Sequence, residues 1–575
     1  MSPRAPASRA APRRAKHGAK DGAGAGTTPR ASEATAPPEA AEPPRSPRRA
    51  ARLGALAAAV LATGVLFLLA APAVGLSPAV WLVLVPGGLA LCSVRGWRGA
   101  LVLGLLLGAA ATLAISYWLV GAVEEYHGIG PALGWPLFAL FALVGQAQLP
   151  LWAMLRWWLR DRHDPTAVLA LALAYAGLDW LVPKLFKDTL AVACFADARV
   201  IQVIDLGGQF LLTFVIALVS QAIVAAIVWR RAARRTGALA AAALALTLGY
   251  GQLRGSAIRA ATEAAPRIRT AVAQANIGNL EKLAGEQGSR ATVMDVLRRY
   301  GELSDREVTG PRKPELLVWP ETAYPLAWGA RRSAEDDEIE REIATYARER
   351  NVAMLFGGYH RVGDVEFNSA IALAPGGASS VYHKYVLVPF AEAYPFPVSL
   401  AKRSLFGEGG TPRTLELGLP GPAPGAPPRL PPRPAAVRIA PIICYEALVP
   451  SHVIAGVRDG AQAIVNLTND AWFVSTAEKR MHLASSVLRS VETRRAQLRA
   501  TNTGITALIL PDGEVVAPGP IDAEAVLPYE LPLVEQGSLA VTLGAWSGPV
   551  CAACAAALLA GMAWRRRRRP AAASS

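Results

Sequence analysis

Three apolar runs in the second half of the chain each lead straight into a reactive side chain. Leu316-Leu317-Val318-Trp319-Pro320 leads to Glu321, Val381-Tyr382-His383 to Lys384, and Ile439-Ala440-Pro441-Ile442-Ile443 to Cys444. A carboxylate, an ammonium and a thiol are the parts needed for nucleophilic attack on an acyl group. A free thiol stays protonated near neutral pH, so a cysteine nucleophile needs a base or a cation beside it. Glu321 is the candidate base, taking the thiol proton and later giving it to the leaving group. Lys384 is the candidate for stabilising the oxyanion of a tetrahedral intermediate, with the backbone N–H of Tyr445 as a second donor. Glu392 is a candidate either to position Lys384 or to carry a second proton, and Tyr445 and Glu446 to order the turn after Cys444. A lone cysteine after a strand is usually a packing residue; a base, a cation and a nucleophile together outweigh that reading.

To converge, these three side chains must leave strands at one edge of a sheet. Candidate strands are 268–276, 316–319, 352–358, 369–374, 437–444, 463–468 and 505–510, and helical periodicity fills 286–304, 333–350 and 478–499. Strands separated by helices predict a parallel or mixed sheet covered by helices, with ligands met at the carboxyl ends of the strands. The Pro-rich stretch 419–436 reads as a loop inserted before the Cys444 strand.

The formal net charge of +15 does not mark a nucleic-acid surface, because the excess sits at the chain ends and in short loops between apolar runs. The first 53 residues hold eleven Lys/Arg against four Asp/Glu and almost no large apolar side chains, so a disordered basic tail is expected there. Eight apolar runs are candidates to cross a bilayer: 54–73, 77–94, 99–121, 131–155, 165–183, 208–229, 237–254 and 544–564. The seventh is the weakest, being short and interrupted by Gly249 and Gly251. The first is read as an uncleaved helix, since another span follows at once. Arg95 and Arg98, Arg156 to Arg162, and Arg230 to Arg235 follow even-numbered spans, whereas Glu124-Glu125 follows the third. The positive-inside bias then places both termini, including the basic tail 565–575, in the cytoplasm and 266–540 outside. Asp179 is costly inside a span, so it either lines a lipid-access groove or reaches the interface beside Trp180. Cys92, Cys194, Cys551 and Cys554 lie in or beside apolar segments and read as packing residues. The seven His show no metal-ligand spacing, and no cofactor is expected.

The order Glu321, Lys384, Cys444 in these contexts resembles the nitrilase superfamily. Trp319-Pro320-Glu321-Thr322-Ala323, Leu387-Val388-Pro389-Phe390, Ile443-Cys444-Tyr445-Glu446, Asn469-Asp470-Ala471-Trp472-Phe473 and Arg499-Ala500-Thr501-Asn502-Thr503-Gly504 resemble one branch of it, the apolipoprotein N-acyltransferases of bacterial envelopes. The resemblance covers about 54–564. It implies a polytopic helical membrane domain, 54–254, with a final helix at 544–564, and an extracytoplasmic α-β-β-α sandwich, 266–540. It also implies a reaction: the sn-1 acyl chain of a phospholipid passes through a Cys444 thioester to the N-terminal amine of a diacylglyceryl-cysteine apolipoprotein. The expected partners are therefore a phospholipid donor, a diacylated apolipoprotein acceptor and membrane lipid, with no nucleic acid and a monomeric enzyme. The location expected is the inner membrane, with the catalytic domain on the periplasmic side. Asn368, Trp472 and Asp179 are the expected substrate contacts. The sequence departs from the family pattern at Leu283, where a Trp is common, at Val474, where Gly is common, and at 186–197, which lacks a Phe-Pro-Trp-like stretch. A membrane-tethered amidase acting on small soluble amides would use the same three residues but would not need eight spans.

Overall fold

The structure, a computed structural model, describes residues 47–278, 289–330, 333–393, 406–411, 413–421, 431–473 and 475–568. The expected basic tail lies outside these residues as far as position 46, and the first helix already begins at Pro47. Among the described residues six helices are long and apolar enough to cross a membrane: Ala50–Ala70, Trp97–Ser116, Pro131–Trp158, Gln209–Val228, Arg230–Ala264 and Ser547–Arg567. The other two expected spans are the shorter apolar helices Ser77–Ser93 and Pro165–Leu181. The seventh expected span proves to be the middle of the 35-residue helix Arg230–Ala264, which runs unbroken through Gly249 and Gly251. Gly251 serves packing there: a Cβ would stand 1.7 Å from the carbonyl oxygen of Arg199. Only a residue without a side chain permits that approach.

Twelve strands among the described residues form two six-stranded sheets. In chain order they are β1 (Arg267–Gln274), β2 (Leu316–Trp328), β3 (Ala353–Val362), β4 (Val365–Leu373), β5 (Ser379–His383), β6 (Leu415–Gly418), β7 (Ala436–Ile443), β8 (Ala463–Thr468), β9 (Gln497–Thr501), β10 (Ala507–Ile509), β11 (Val515–Val516) and β12 (Ala525–Pro532). The sheets are ordered β12-β1-β2-β3-β4-β5 and β11-β10-β9-β8-β7-β6. Each has a parallel centre, β1-β2-β3 in one and β7-β8-β9 in the other, with antiparallel flanks. The central strands are buried on both faces, as β8 is throughout, because both faces are covered. One face of each sheet meets the other sheet: Ile268, Val318 and Leu355 share a buried cluster with Val437, Val465 and Leu498. The opposite face of the first sheet carries the helices Arg290–Val308 and Ala334–Glu349. Val293, Val296, Tyr300, Ile339 and Ile343, spaced at helical intervals, are buried there with Leu317 and Phe356. Ser333 caps the second of these helices, accepting from the N–H of Asp336 at 3.0 Å.

On the second sheet the covering helices are Pro450–Arg458 and Thr476–Thr493. The latter is buried on nearly every side, because Leu483, Val487 and Val491 also pack into the core of the membrane helices. It is shorter than the expected 478–499. Arg494 takes a positive φ of 53° and stops it, and Gln497–Thr501 becomes β9. Arg494 is itself wholly buried, donating to Asp205 at 2.9 Å and to Gln202 Oε1 at 2.6 Å. Arg254 and Tyr250 reach the same carboxylate at 2.9 and 2.7 Å. This network fastens the sandwich to the membrane helices through satisfied charges.

Candidate active site

Glu321 does not leave the end of its strand, as expected, but sits within β2 at an irregularity. Pairing with β3 shifts between Trp319–Phe356 and Tyr324–Gly358, and Thr322 adopts φ +52°. The bulge re-aims the carboxylate towards the second sheet. It needs Gly357 opposite, where a Cβ would lie 2.5 Å from the Glu321 Cα. Lys384 follows the last residue of β5, its N–H donating to the Asn368 carbonyl at 2.8 Å. Cys444 follows the last residue of β7 at φ +50° and opens a short 3₁₀ turn, Cys444–Leu448. A non-glycine residue in that region is strained and must be held by its surroundings.

The three side chains come together between the sheets. The Lys384 ammonium, 1% exposed, lies 2.8 Å from Glu392 and 3.3 Å from Glu321. Asn368, expected as a substrate contact, donates from Nδ2 to both carboxylates, at 2.8 Å to Glu321 and 3.2 Å to Glu392. The other Glu321 oxygen accepts from the N–H of Asn469 at 2.9 Å, and the other Glu392 oxygen from Val388 at 2.8 Å. Burial opposes the charge on Lys384, but Glu392 and Glu321 outweigh it and hold the ammonium well above the ordinary lysine range. The Cys444 thiol is pushed well above the ordinary range by burial and then by the Glu321 carboxylate, with Lys384 pulling the other way. Cys444 therefore rests as a thiol, flanked by a carboxylate, a cation and the Thr468 hydroxyl.

Glu446 is the joint between the lysine and cysteine segments. It is wholly buried and accepts from the N–H groups of Ile443 (2.7 Å), Tyr385 (2.7 Å) and Val386 (3.1 Å) and from the Tyr382 hydroxyl (2.7 Å). Burial works against its ionisation, yet His452 and these donors keep its carboxyl below the usual range. The Tyr445 hydroxyl donates to the carbonyl of Leu185, in the segment after the helix Pro165–Leu181. Asp179 lies in the last turn of that helix, buried and paired with Lys184 at 2.5 Å. Trp472 belongs to the short turn Asp470–Trp472. Leu283 and Val474 lie outside the described residues.

A second layer of buried groups, with little local signal in the sequence, lies behind these residues. His482 Nε2 meets the Cys444 carbonyl at 3.1 Å and Nδ1 meets Asp470 at 3.0 Å, while Arg499 pairs with the other Asp470 oxygen at 2.8 Å. Burial opposes the Asp470 charge, but Arg499 and His482 hold its carboxyl well below the usual range. Asp470, Glu478 and His482 bring possible ligand atoms within 4.8 Å of one another. The Arg499 guanidinium already supplies that carboxylate with a cation. Asn469 and Asp470 stand in a motif legible from sequence, but His482 lies on a helix face that reads as packing.

A carbon–nitrogen hydrolase sandwich with a carboxylate, an ammonium and a thiol between its sheets, mounted on apolar helices, defines a membrane-bound enzyme of the nitrilase superfamily. The family model for carbon–nitrogen hydrolases matches 264–540, and that for the apolipoprotein N-acyltransferase N-terminal domain matches 63–222. Curated apolipoprotein N-acyltransferases align nearly end to end. That of Geobacter metallireducens is 29% identical over 529 residues, covering 88% of this chain and 94% of its own. That of Rhodopseudomonas palustris is 30% identical, covering 86% and 90%, and that of Azotobacter vinelandii 30%, covering 82% and 87%. The chain belongs to the apolipoprotein N-acyltransferase family, and it is a multi-pass membrane protein. An amidase from Nesterenkonia sp. aligns with 47% of this chain and 91% of its own at 18% identity and a TM-score of 0.32.

Proposed function

We propose that Cys444 carries an acyl chain from the sn-1 position of a phospholipid to the N-terminal amine of a diacylglyceryl-cysteine apolipoprotein. The observation that carries this reading is the Lys384 ammonium wedged between Glu321 and Glu392 beside the Cys444 thiol, on a domain fastened to membrane helices. In the first half-reaction Glu321 takes the thiol proton and the sulfur attacks the ester carbonyl. Lys384 meets the oxyanion, the C–O bond breaks, and the proton passes to the departing lysophospholipid alkoxide. In the second, the neutral amine attacks the thioester, Glu321 accepts a proton from nitrogen, the C–S bond breaks, and Cys444 recovers its proton. Glu392 and Asn368 hold the base and the cation in register, and Glu446 holds the turn.

Both substrates are anchored in lipid, which gives a reason for placing such a site on a membrane bundle. On this reading 54–254 and 544–564 are the eight-span membrane part, 266–540 is the catalytic domain, and the domain faces the periplasm with both termini in the cytoplasm. The test is mass spectrometry of the protein after incubation with phospholipid. An acyl adduct on Cys444, discharged by a diacylglyceryl-cysteine peptide, is expected. Protein that turns over with no adduct on Cys444 rejects the thioester route.

A further inference from the structure

The peptide unit between Cys444 and Tyr445 has two polar ends, and only one of them is used by the chemistry above. Its N–H, that of Tyr445, is the expected second donor to the oxyanion. That N–H stands at the second position of the Cys444–Leu448 turn, where the turn has no acceptor of its own to offer. The carbonyl oxygen at the other end is met by His482 Nε2 at 3.1 Å. A carbonyl can only accept, so Nε2 carries a hydrogen and donates it. Nδ1 faces Asp470 Oδ1 at 3.0 Å, and Asp470 is held as a carboxylate, so Nδ1 donates as well.

Behind the ring the support is rigid. Asp470 Oδ1 also accepts from the Thr468 hydroxyl at 3.2 Å, and Oδ2 accepts from Arg499 at 2.8 Å. Arg499 lies in β9, wholly buried, and donates further to the Ile505 carbonyl and the Ser486 hydroxyl, each at 3.2 Å. The fit around Asp470 is close: a Cβ at Gly504 would stand 2.0 Å from its Oδ2. His482 itself is 4% exposed, on the helix Thr476–Thr493. Cys444, by contrast, sits at φ +50°, a conformation that its surroundings must hold. A trans peptide is planar with C=O and N–H opposed, so a donor that fixes the carbonyl also fixes where the N–H points.

We propose that His482 is a positioning residue for acyl transfer: it holds the Cys444 carbonyl from behind and thereby turns the Tyr445 N–H towards the oxyanion that forms beside Cys444. Asp470 fixes the ring, and Arg499 and Thr468 fix Asp470, so the direction of that N–H is set by the second sheet. The inference rests on the reading of Cys444 as the residue that takes the donor's acyl chain.

Two variants separate the two bonds of the ring. His482→Gln places an amide N–H near the Nε2 position and keeps the bond to Cys444. His482→Asn places one near the Nδ1 position and keeps the bond to Asp470. Both lack the imidazole, so its loss is common to the pair. Single-turnover loading of Cys444 from phospholipid at saturation should be roughly 10- to 100-fold slower in His482→Asn than in His482→Gln, with the same KM, because an oxyanion donor is turned away while substrate binding is untouched. Alkylation of Cys444 by iodoacetamide, followed on its peptide by mass spectrometry, forms no oxyanion and should run at similar rates in the two. Equal loading, faster loading in His482→Asn, or an alkylation difference as large as the loading difference overturns the positioning role. A variant whose thiol is exposed by loss of folding alkylates faster than its partner; that outcome assigns His482 to stability and overturns the role as well. Wild-type protein that loads no acyl chain on Cys444 rejects the underlying function instead.

Discussion

Replacing Lys384 with Met removes one charge at nearly constant volume and separates the two tasks assigned to that residue. In the native site the ammonium lies 3.3 Å from Glu321 and 2.8 Å from Glu392. Without it, two carboxylates that share the Asn368 amide face each other in a buried site. At a separation of roughly 5 Å and an effective dielectric constant of about 20, their repulsion is about 3 kcal/mol. The simplest relief is uptake of a proton, which disables the base. Loss of the oxyanion donor alone lowers the rate by ~10²–10³. Single-turnover loading of Lys384→Met should therefore fall at least ~10³-fold. The broken buried pair should also cost about 3–5 kcal/mol of stability. Adding Glu392→Gln removes the repulsion. The double variant should regain much of the lost thermal stability in detergent, yet still load acyl chain ~10²–10³ times more slowly than wild type, because the donor to the oxyanion is still missing. Loading followed by intact mass, with thermal unfolding alongside, reads both quantities. Lys384→Met loading within tenfold of wild type, or full recovery of loading in the double variant, would refute the assignment.

Cys444→Ala should abolish both loading and transfer, whereas replacing Cys92, Cys194, Cys551 and Cys554 together should leave activity in place; the opposite pattern in a folded protein would overturn the nucleophile. In that four-cysteine variant, iodoacetamide should alkylate Cys444 at a rate that keeps climbing with pH beyond 9 without a plateau, because burial and Glu321 raise the thiol. A plateau near neutral pH would mean a preformed thiolate. Glu446→Gln keeps one acceptor oxygen and loses the other, so at least one of its bonds to the Cys444 or Lys384 segment fails. The expected cost is about 1.5–3 kcal/mol, read as a lowered thermal midpoint with slowed loading. Protease added to sealed, right-side-out vesicles should cut within 300–430; full protection there would reverse the proposed orientation.

The candidate residues Glu321, Lys384 and Cys444 are legible because each follows a recognisable apolar run, and Lys384 and Cys444 directly follow the strands Ser379–His383 and Ala436–Ile443. Glu321 was placed at a strand end, since nothing local distinguishes a strand that stops at Pro320 from one that bulges there and continues to Trp328. The edge strands β5, β6 and β11 run for only five, four and two residues, too short for a period to mark them; β12 carries Pro528 and Pro532, tolerable only because it lies at an edge. Helix Thr476–Thr493 was extended too far because its end is set by a tertiary partner, Asp205, that lies far away in sequence. The same long range hides His482 and the bonds from Asn368 to Glu321 and Glu392. Their roles are defined by what the folded chain brings to them and not by their neighbours.

The bond between Arg494 and Asp205 also has a bearing on biosynthesis. Its two ends are 289 residues apart, so Asp205 is already in the membrane part long before its main cation has been made. Until then the carboxylate has Arg254 and Tyr250 as interim company, and the groove meant for the helix Thr476–Thr493 stands open on the bundle. The membrane part is thus completed from outside and late: the sandwich must fold, dock its helix, and only then does Ser547–Arg568 close against Pro165–Leu181. A chain interrupted before Arg494 leaves behind a half-built bundle whose Asp205 carboxylate is held by Arg254 and Tyr250 alone.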